Sequence, residues 1–200
     1  TGRDMVREEQ TINQSKNISR FQDGDVVLLR DQRARRYRLK LQLDAVFFTH
    51  LGALDHNSII GSTDGAYLET TKGHRFVALR PTLLEAILEI PRQSQVIYPK
   101  DLASILMRGD IFPGATIVEI GLGSGATAAA ILRAIGPSGH LVSYEIRENI
   151  IPRAQQNIAE MAPGYENHTI VIRDAYEEGI VENDVDRIVT DIPEPWKLIE

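Results

Sequence analysis

The sequence predicts an α/β protein: a doubly wound, Rossmann-like parallel sheet preceded by a small, β-barrel-like N-terminal domain. Three observations carry this expectation. The apolar run Thr116 to Ile120 leads into Gly121-Leu122-Gly123-Ser124-Gly125 and then into the alanine-rich stretch Ala126 to Ile135, the order strand, tight turn, helix. Apolar runs downstream alternate with segments of helical length, as in parallel sheets. Upstream, short alternating runs recur at roughly ten-residue spacing with turn residues between them, the pattern of a small barrel or sandwich.

The bulk composition is that of a soluble globular protein, 42% apolar and 25% charged over 200 residues. The absence of cysteine excludes a disulfide framework, thiolate metal sites and a cysteine nucleophile. No apolar run reaches ~18 residues and no signal-peptide pattern is present, so a cytoplasmic protein without a membrane partner is expected. A net charge of −6 argues against a generally basic nucleic-acid binder. The charge is uneven, however. Arg30, Arg33, Arg35, Arg36, Arg38 and Lys40 face the single acid Asp31, giving +5 over residues 30–40 and leaving −11 on the rest.

Taken in order, residues 1–19 are polar and aperiodic and are expected to form a mobile tail. The small β-domain is expected over 20–76. Asp23-Gly24-Asp25 reads as a turn and Val26 to Leu29 as a short buried strand. Arg36 to Leu41 alternates strictly, which puts Tyr37, Leu39 and Leu41 on one face and Arg36, Arg38 and Lys40 on the other. That cationic face is either a solvated edge or a surface for RNA phosphates. Val46 to His50 and Ala66 to Thr70 read as further strands. His50, His56 and His74 match no metal-ligand spacing, so no metal is expected.

The second domain is expected over 77–200, opening with a helical linker, 77–110. Thr82 with Glu85 three residues on forms a capping box before Leu83 to Ile90, and Pro91 is expected to stop that helix. Asp101 is expected to cap a second helix ending at Gly109. After the glycine turn come helix Ala126 to Ile135, strand His140 to Tyr144 and a helix with Pro152 in its first turn. Strands Thr169 to Ile172 and Asp186 to Thr190 complete the reading.

Four acids, Glu119, Glu145, Asp174 and Asp191, fall at or near strand ends, where open α/β sheets bind ligands; individually, each is also an ordinary turn residue. The glycines suit a ligand approaching the backbone closely at a helix N-terminus. Glu145 stands 20 residues after Gly125, the place for a carboxylate that accepts from ribose hydroxyls. Gly121, Gly123 and Ala126 also satisfy the dinucleotide spacing, which keeps an NAD-dependent oxidoreductase open. Glu119, able to meet a cationic amino group, and Asp174, able to accept from an adenine amine, tilt the reading towards S-adenosylmethionine, as does the lack of a downstream hydride-transfer domain.

Val118 to Gly125, Ser143 to Glu148 and Asp191-Ile192-Pro193-Glu194-Pro195-Trp196 resemble the tRNA (adenine-58-N1)-methyltransferase family. Ile97-Tyr98-Pro99-Lys100-Asp101, Gly73 to Phe76 and Leu79 to Thr82 resemble its linker. The similarity runs over roughly residues 20–200. The glycine turn is generic to class I methyltransferases, whereas the Tyr-Pro-Lys-Asp and Asp-x-Pro-x-Pro-Trp pieces are far more specific.

The resemblance implies that Ser124, Gly125, Ala126 and Thr127 contact the cofactor, that Glu145 holds its ribose and Asp174 its adenine, and that Ile150 lines the same site. It implies Asp191 as the catalytic carboxylate and Tyr98 as the aromatic flanking the target base, although Tyr98 also reads as a buried turn residue. The implied partners are tRNA and further copies of the chain, as a homotetramer. A catalytically silent RNA-binding subunit on the same scaffold is the alternative. The family's sheet continues past the Asp-x-Pro-x-Pro-Trp strand, so this 200-residue chain is expected to lack C-terminal strands, to bind cofactor weakly and to be inactive alone.

Overall fold

The computed structural model describes residues 20–90 and 95–199. The expected tail over 1–19 and the helix stop at Pro91 lie outside the described residues. The chain divides into two compact units, the first ending at Pro81 and the second beginning at Thr82.

The first unit is built from six short strands: β1 (Val26–Asp31), β2 (Arg36–Lys40), β3 (Val46–Thr49), β4 (Gly52–Asp55), β5 (Ala66–Glu69) and β6 (Arg75–Leu79). Four of them form an antiparallel sheet in the order β2-β1-β6-β5, and β3 and β4 form a separate hairpin. Period-two alternation sends Val27, Leu29, Leu68, Phe76 and Ala78 inward to join Phe21, Leu41, Leu54 and Ile59. Tyr37 sits edge-on to both Phe47 and Phe76 at 5.7 and 5.6 Å.

Two strands, β4 and β6, went unread in the sequence. β4 is only four residues and includes a glycine; β6 sits in the stretch read as linker. β6 pairs with both β1 and β5 and so belongs to the first unit, which ends at Pro81. The histidines do not converge. His56 is buried, with its Nδ1 accepting from the Gln42 N–H at 3.1 Å, while His50 Nε2 meets the Arg35 guanidinium at 2.7 Å.

The second unit opens with α1 (Leu83–Glu89) and α2 (Pro99–Arg108). The Thr82–Glu85 capping box is present in both directions. Asp101 is not the cap of α2. Tyr98 takes that position and Pro99 follows inside the helix, because proline's fixed φ and missing N–H suit the first helical position; Asp101 lies in the first turn.

The alternation then runs β7 (Thr116–Ile120), α3 (Ala126–Ile135), β8 (His140–Glu145), α4 (Ile151–Met161), β9 (His168–Ile172), the one-turn α5 (Ala175–Glu178) and β10 (Arg187–Thr190). The four strands form a parallel sheet in the order β10-β7-β8-β9. Chain direction along the sheet therefore reverses between β7 and β10, the topological switch point at which such sheets take ligands. One face of the sheet packs Ile117 and Leu141 under the buried helix α3, and the other packs Val118, Ile120, Val142 and Tyr144.

Candidate cofactor and active site

A cavity of about 380 Å³ opens at the carboxyl end of this sheet. Its wall takes Gly121 and Gly123 from the turn after β7, Glu145, Ile146 and Arg147 from β8 onward, Arg173, Asp174 and Tyr176 after β9, and Asp191, Ile192 and Pro193 after β10. All four strands thus contribute through the residues that end them. A larger hollow, about 460 Å³, runs between α2 and the edge strand β10. It includes neither the glycine turn nor the clustered carboxylates, so it is not the candidate site.

The turn is built around close approach. Gly121 has φ +98°, and a Cβ there would lie 2.6 Å from the Asp191 carbonyl oxygen; Gly125 has φ +80°, and its Cβ would lie 2.7 Å from Ile158. Only glycine meets both demands. Asp191 is tied to the same point, its N–H donating to the Ile120 carbonyl at 2.9 Å. The switch point therefore holds the cofactor turn and the Asp191 loop against each other.

Glu145 is buried at the end of β8 and accepts from the Gly123 N–H at 3.1 Å and from the Arg147 N–H and Nε at 3.0 and 3.1 Å. Burial raises its pKa, but the hydrogen bonds from Arg147 and Gly123 and the Arg147 charge outweigh this and hold the carboxyl below its ordinary range. Asp174 lies at the N-terminus of α5, where one oxygen accepts from the Tyr176 N–H at 2.8 Å. Among the described residues, its other oxygen accepts from no backbone N–H.

Glu119 lies deeper than expected. It is wholly buried beneath the turn and is not part of the cavity wall. Ser143 on the adjacent strand donates to its Oε2 at 2.5 Å, His168 Nε2 lies 2.9 Å from the same hydroxyl, and Glu119 Oε1 has no hydrogen-bond partner among the described residues. Burial, with the Asp191 and Glu145 charges adding to it against the Ser143 bond, pushes its pKa up to about 8. His168 is pushed the opposite way, to about 4, by burial and by His140.

Of the residues singled out in the sequence, Gly121, Gly123, Glu145, Asp174 and Asp191 converge on the cavity. Ser124, Gly125, Ala126 and Thr127 form the turn's end and the start of α3 behind the wall, the last three buried, and Ile150 precedes α4. Tyr98 stands half-exposed at the start of α2, outside the wall, although Gln95 from the same segment reaches it. Arg36, Arg38 and Lys40 lie on β2 in the first unit. Sequence reasoning missed Arg147, Ile146, Tyr176 and Pro193. Arg147 was legible as a cation two residues from Glu145, and Tyr176 as an aromatic two residues from Asp174.

Residues 76–200 match the family model described as tRNA methyltransferase complex GCD14 subunit, and residues 20–67 match the one described as TrmI-like N-terminal. The chain belongs to the tRNA (adenine-58-N1)-methyltransferase family. Within it, the tRNA (adenine(57)-N(1)/adenine(58)-N(1))-methyltransferase TrmI of Methanocaldococcus jannaschii is 32% identical over 86% of this chain and 68% of its own length. The tRNA (adenine(58)-N(1))-methyltransferase TrmI of Thermus thermophilus is 30% identical over 87% and 68%. Among solved structures, the TrmI of Aquifex aeolicus superposes with TM-score 0.72 at 27% identity, over 89% of this chain and 68% of that one. A SAM-dependent O-methyltransferase of Thermotoga maritima superposes at 0.80 and 36%, over 90% and 66%. The chain therefore spans about two thirds of the length of these relatives. The last two names differ in the atom methylated, so the shared fold fixes the cofactor chemistry and leaves the target to the site. Among the described residues no helix is long and apolar enough to cross a membrane, and no cluster of three metal-ligating side chains forms.

Proposed function

We propose that the protein transfers a methyl group from S-adenosyl-L-methionine to N1 of adenine 58 in the T-loop of tRNA. The observation that carries this is the coupling of Asp191 to the cofactor turn. Its backbone abuts Gly121, so the acid that meets the base and the cradle that meets the cofactor meet at one point.

The residues fit that cofactor. Glu145, Asp174 and Asp191 make the crevice acidic, and the cations beside them, Arg147 and Arg173, are ion-paired to Glu145 and Glu178. Such a crevice favours a cationic, hydroxyl-bearing ligand and disfavours a pyrophosphate, which removes the support for an NAD-dependent oxidoreductase. The cavity volume lies within the ~300–1,000 Å³ usual for small-molecule sites. When bound, the cofactor supplies an electrophilic methyl group on a sulfonium.

Glu145 would accept from the ribose hydroxyls and Asp174 from the adenine amine of the cofactor, and Ile146 and Tyr176, which line the same cavity, would supply apolar surface to it. Asp191 accepts a hydrogen bond from the exocyclic amine of the target adenine. Alkylation at N1 puts positive charge on that ring, so a fixed carboxylate stabilises the transition state more than the ground state and can take the proton. The base must leave its stack to reach this point; Tyr98, the half-exposed residue capping α2, would flank it from outside the cavity wall. A silent RNA-binding subunit would have no use for Asp191 at the crevice. The protein works as a homo-oligomer, a tetramer by family resemblance, and light scattering of the purified protein reads that state directly.

The test is digestion and mass spectrometry of tRNA incubated with S-adenosylmethionine and a form of the protein that carries the C-terminal strands of the family, since the 200-residue chain by itself is expected to be inactive. We expect 1-methyladenosine in the T-loop; its absence with folded protein that binds the cofactor would overturn the reading.

A further inference from the structure

The face of the N-terminal sheet turned away from its core is larger and more basic than the strip on β2. With Val27, Leu29, Phe76, Ala78 and Leu68 pointing inward, strand alternation puts Arg36, Arg38, Lys40, Arg30, Arg75 and Tyr67 on the opposite face, around Leu28, which is itself buried between Arg38 and Leu79. The registers align four of its positions into one row. Arg36 stands opposite Arg30, Arg30 opposite Val77, and Val77 opposite Tyr67. At a strand spacing of ~4.8 Å the row is about 14 Å long.

Two features of the row point to a ligand. Arg30 and Arg36 place two like charges directly opposite one another on exposed positions. Tyr67 ends the row 80% exposed. One exposed tyrosine is ordinary; at the end of a row of guanidinium groups it reproduces the cationic track with a stacking platform that single-stranded RNA binds. Glu69, opposite Arg75, is the acid among these strand positions. Five cations against one acid, on a chain of net charge −6, select a polyanion over an apolar protein partner.

We propose that this sheet face docks the phosphate backbone of RNA along Arg36 and Arg30, with Tyr67 stacking on an unpaired base at the end of the row. The inference rests on the reading that the protein acts on tRNA. The experiment titrates fluorescently labelled, unmodified tRNA with the protein, its R30E/R36E variant, Tyr67→Ala and Tyr67→Phe, across a salt series. R30E/R36E should weaken binding at least tenfold and lower the slope of log affinity against log salt by about 1.5. Tyr67→Ala should weaken it about five- to a hundredfold, and Tyr67→Phe should bind as the parent does. Cofactor affinity and melting temperature, measured on every variant, should stay within twofold and ~3 °C of the parent.

Unchanged tRNA affinity and salt slope in R30E/R36E would overturn the proposal. So would a change of oligomeric state by light scattering in that variant, which would assign the face to contact between copies. The two readings fail separately. If the parent makes 1-methyladenosine while the variants bind tRNA normally, the docking face is wrong and the reaction stands. If the variants lose binding but the parent makes no 1-methyladenosine, the face stands and the reaction does not.

Discussion

Replacing Glu119 by Gln removes a proton-binding site that lies wholly out of water beneath the glycine turn. In the folded chain burial pushes this carboxyl from its ordinary 4.5 up to about 8. A pKa raised on folding contributes stability that is fully present below about 4.5 and is lost as pH rises through about 8. At about 1.36 kcal/mol per pH unit, the interval from 4.5 to about 8 corresponds to roughly 5 kcal/mol. Burial disfavours the anion, since ionisation leaves one oxygen held by Ser143 and the other, Oε1, without a partner among the described residues. Urea denaturation of parent and E119Q at half-unit steps from pH 5 to pH 9 isolates the effect, since every other group titrates in both. The parent should lose stability relative to E119Q by several kcal/mol between about pH 5.5 and 8.5. Parallel curves over that window would refute the assignment. Cofactor binding adds a second reading: a cationic ligand over this network favours the anion, so binding should release a proton near pH 7 in the parent and none in E119Q, measured by calorimetry in buffers of different ionisation enthalpy.

The other variants probe the crevice wall. Asp191→Asn should lower kcat by about 10²–10⁴ and leave cofactor affinity within a few-fold, read by single-turnover methylation of tRNA; equal losses in kcat and cofactor affinity would make Asp191 a binding residue only. Gly121→Ala forces a Cβ to 2.6 Å from the Asp191 carbonyl at φ +98°, and should destabilise by about 2–4 kcal/mol in urea melts; a neutral outcome would mean the turn relaxes freely. Arg147→Ala takes away the guanidinium that occupies Glu145, and should leave cofactor affinity unchanged or raise it up to about fivefold. A tenfold loss would make Arg147 itself a cofactor ligand.

Much of this was legible in local sequence. The capping box Thr82–Glu85, helix Ala126–Ile135 and the buried strands of the parallel sheet each announce themselves through caps, glycine punctuation and apolar runs. β4 and β6 did not, since a four-residue strand carries too few alternations to read and β6 follows a polar turn in a stretch that resembled linker. Arg147 was visible as a residue but not as the partner of Glu145, because a pairing through side-chain torsions leaves no periodicity.

The sequence by itself determined the glycine turn, the order of strands and helices, and the four acids spaced to meet at strand ends, since each follows from backbone conformation and chain direction. Only the tertiary structure decided what each acid faces. Parallel register puts Glu119 beside Ser143 on the helix-packed face, shut from water and carrying a raised pKa, while Glu145, Asp174 and Asp191, set at or just beyond strand ends, reach the crevice. Sheet register likewise turned a basic strip on one strand into a row that reaches Tyr67 across three more. Burial and lateral neighbours are properties of packing between distant segments, and these set the charge of Glu119 and the breadth of the basic face.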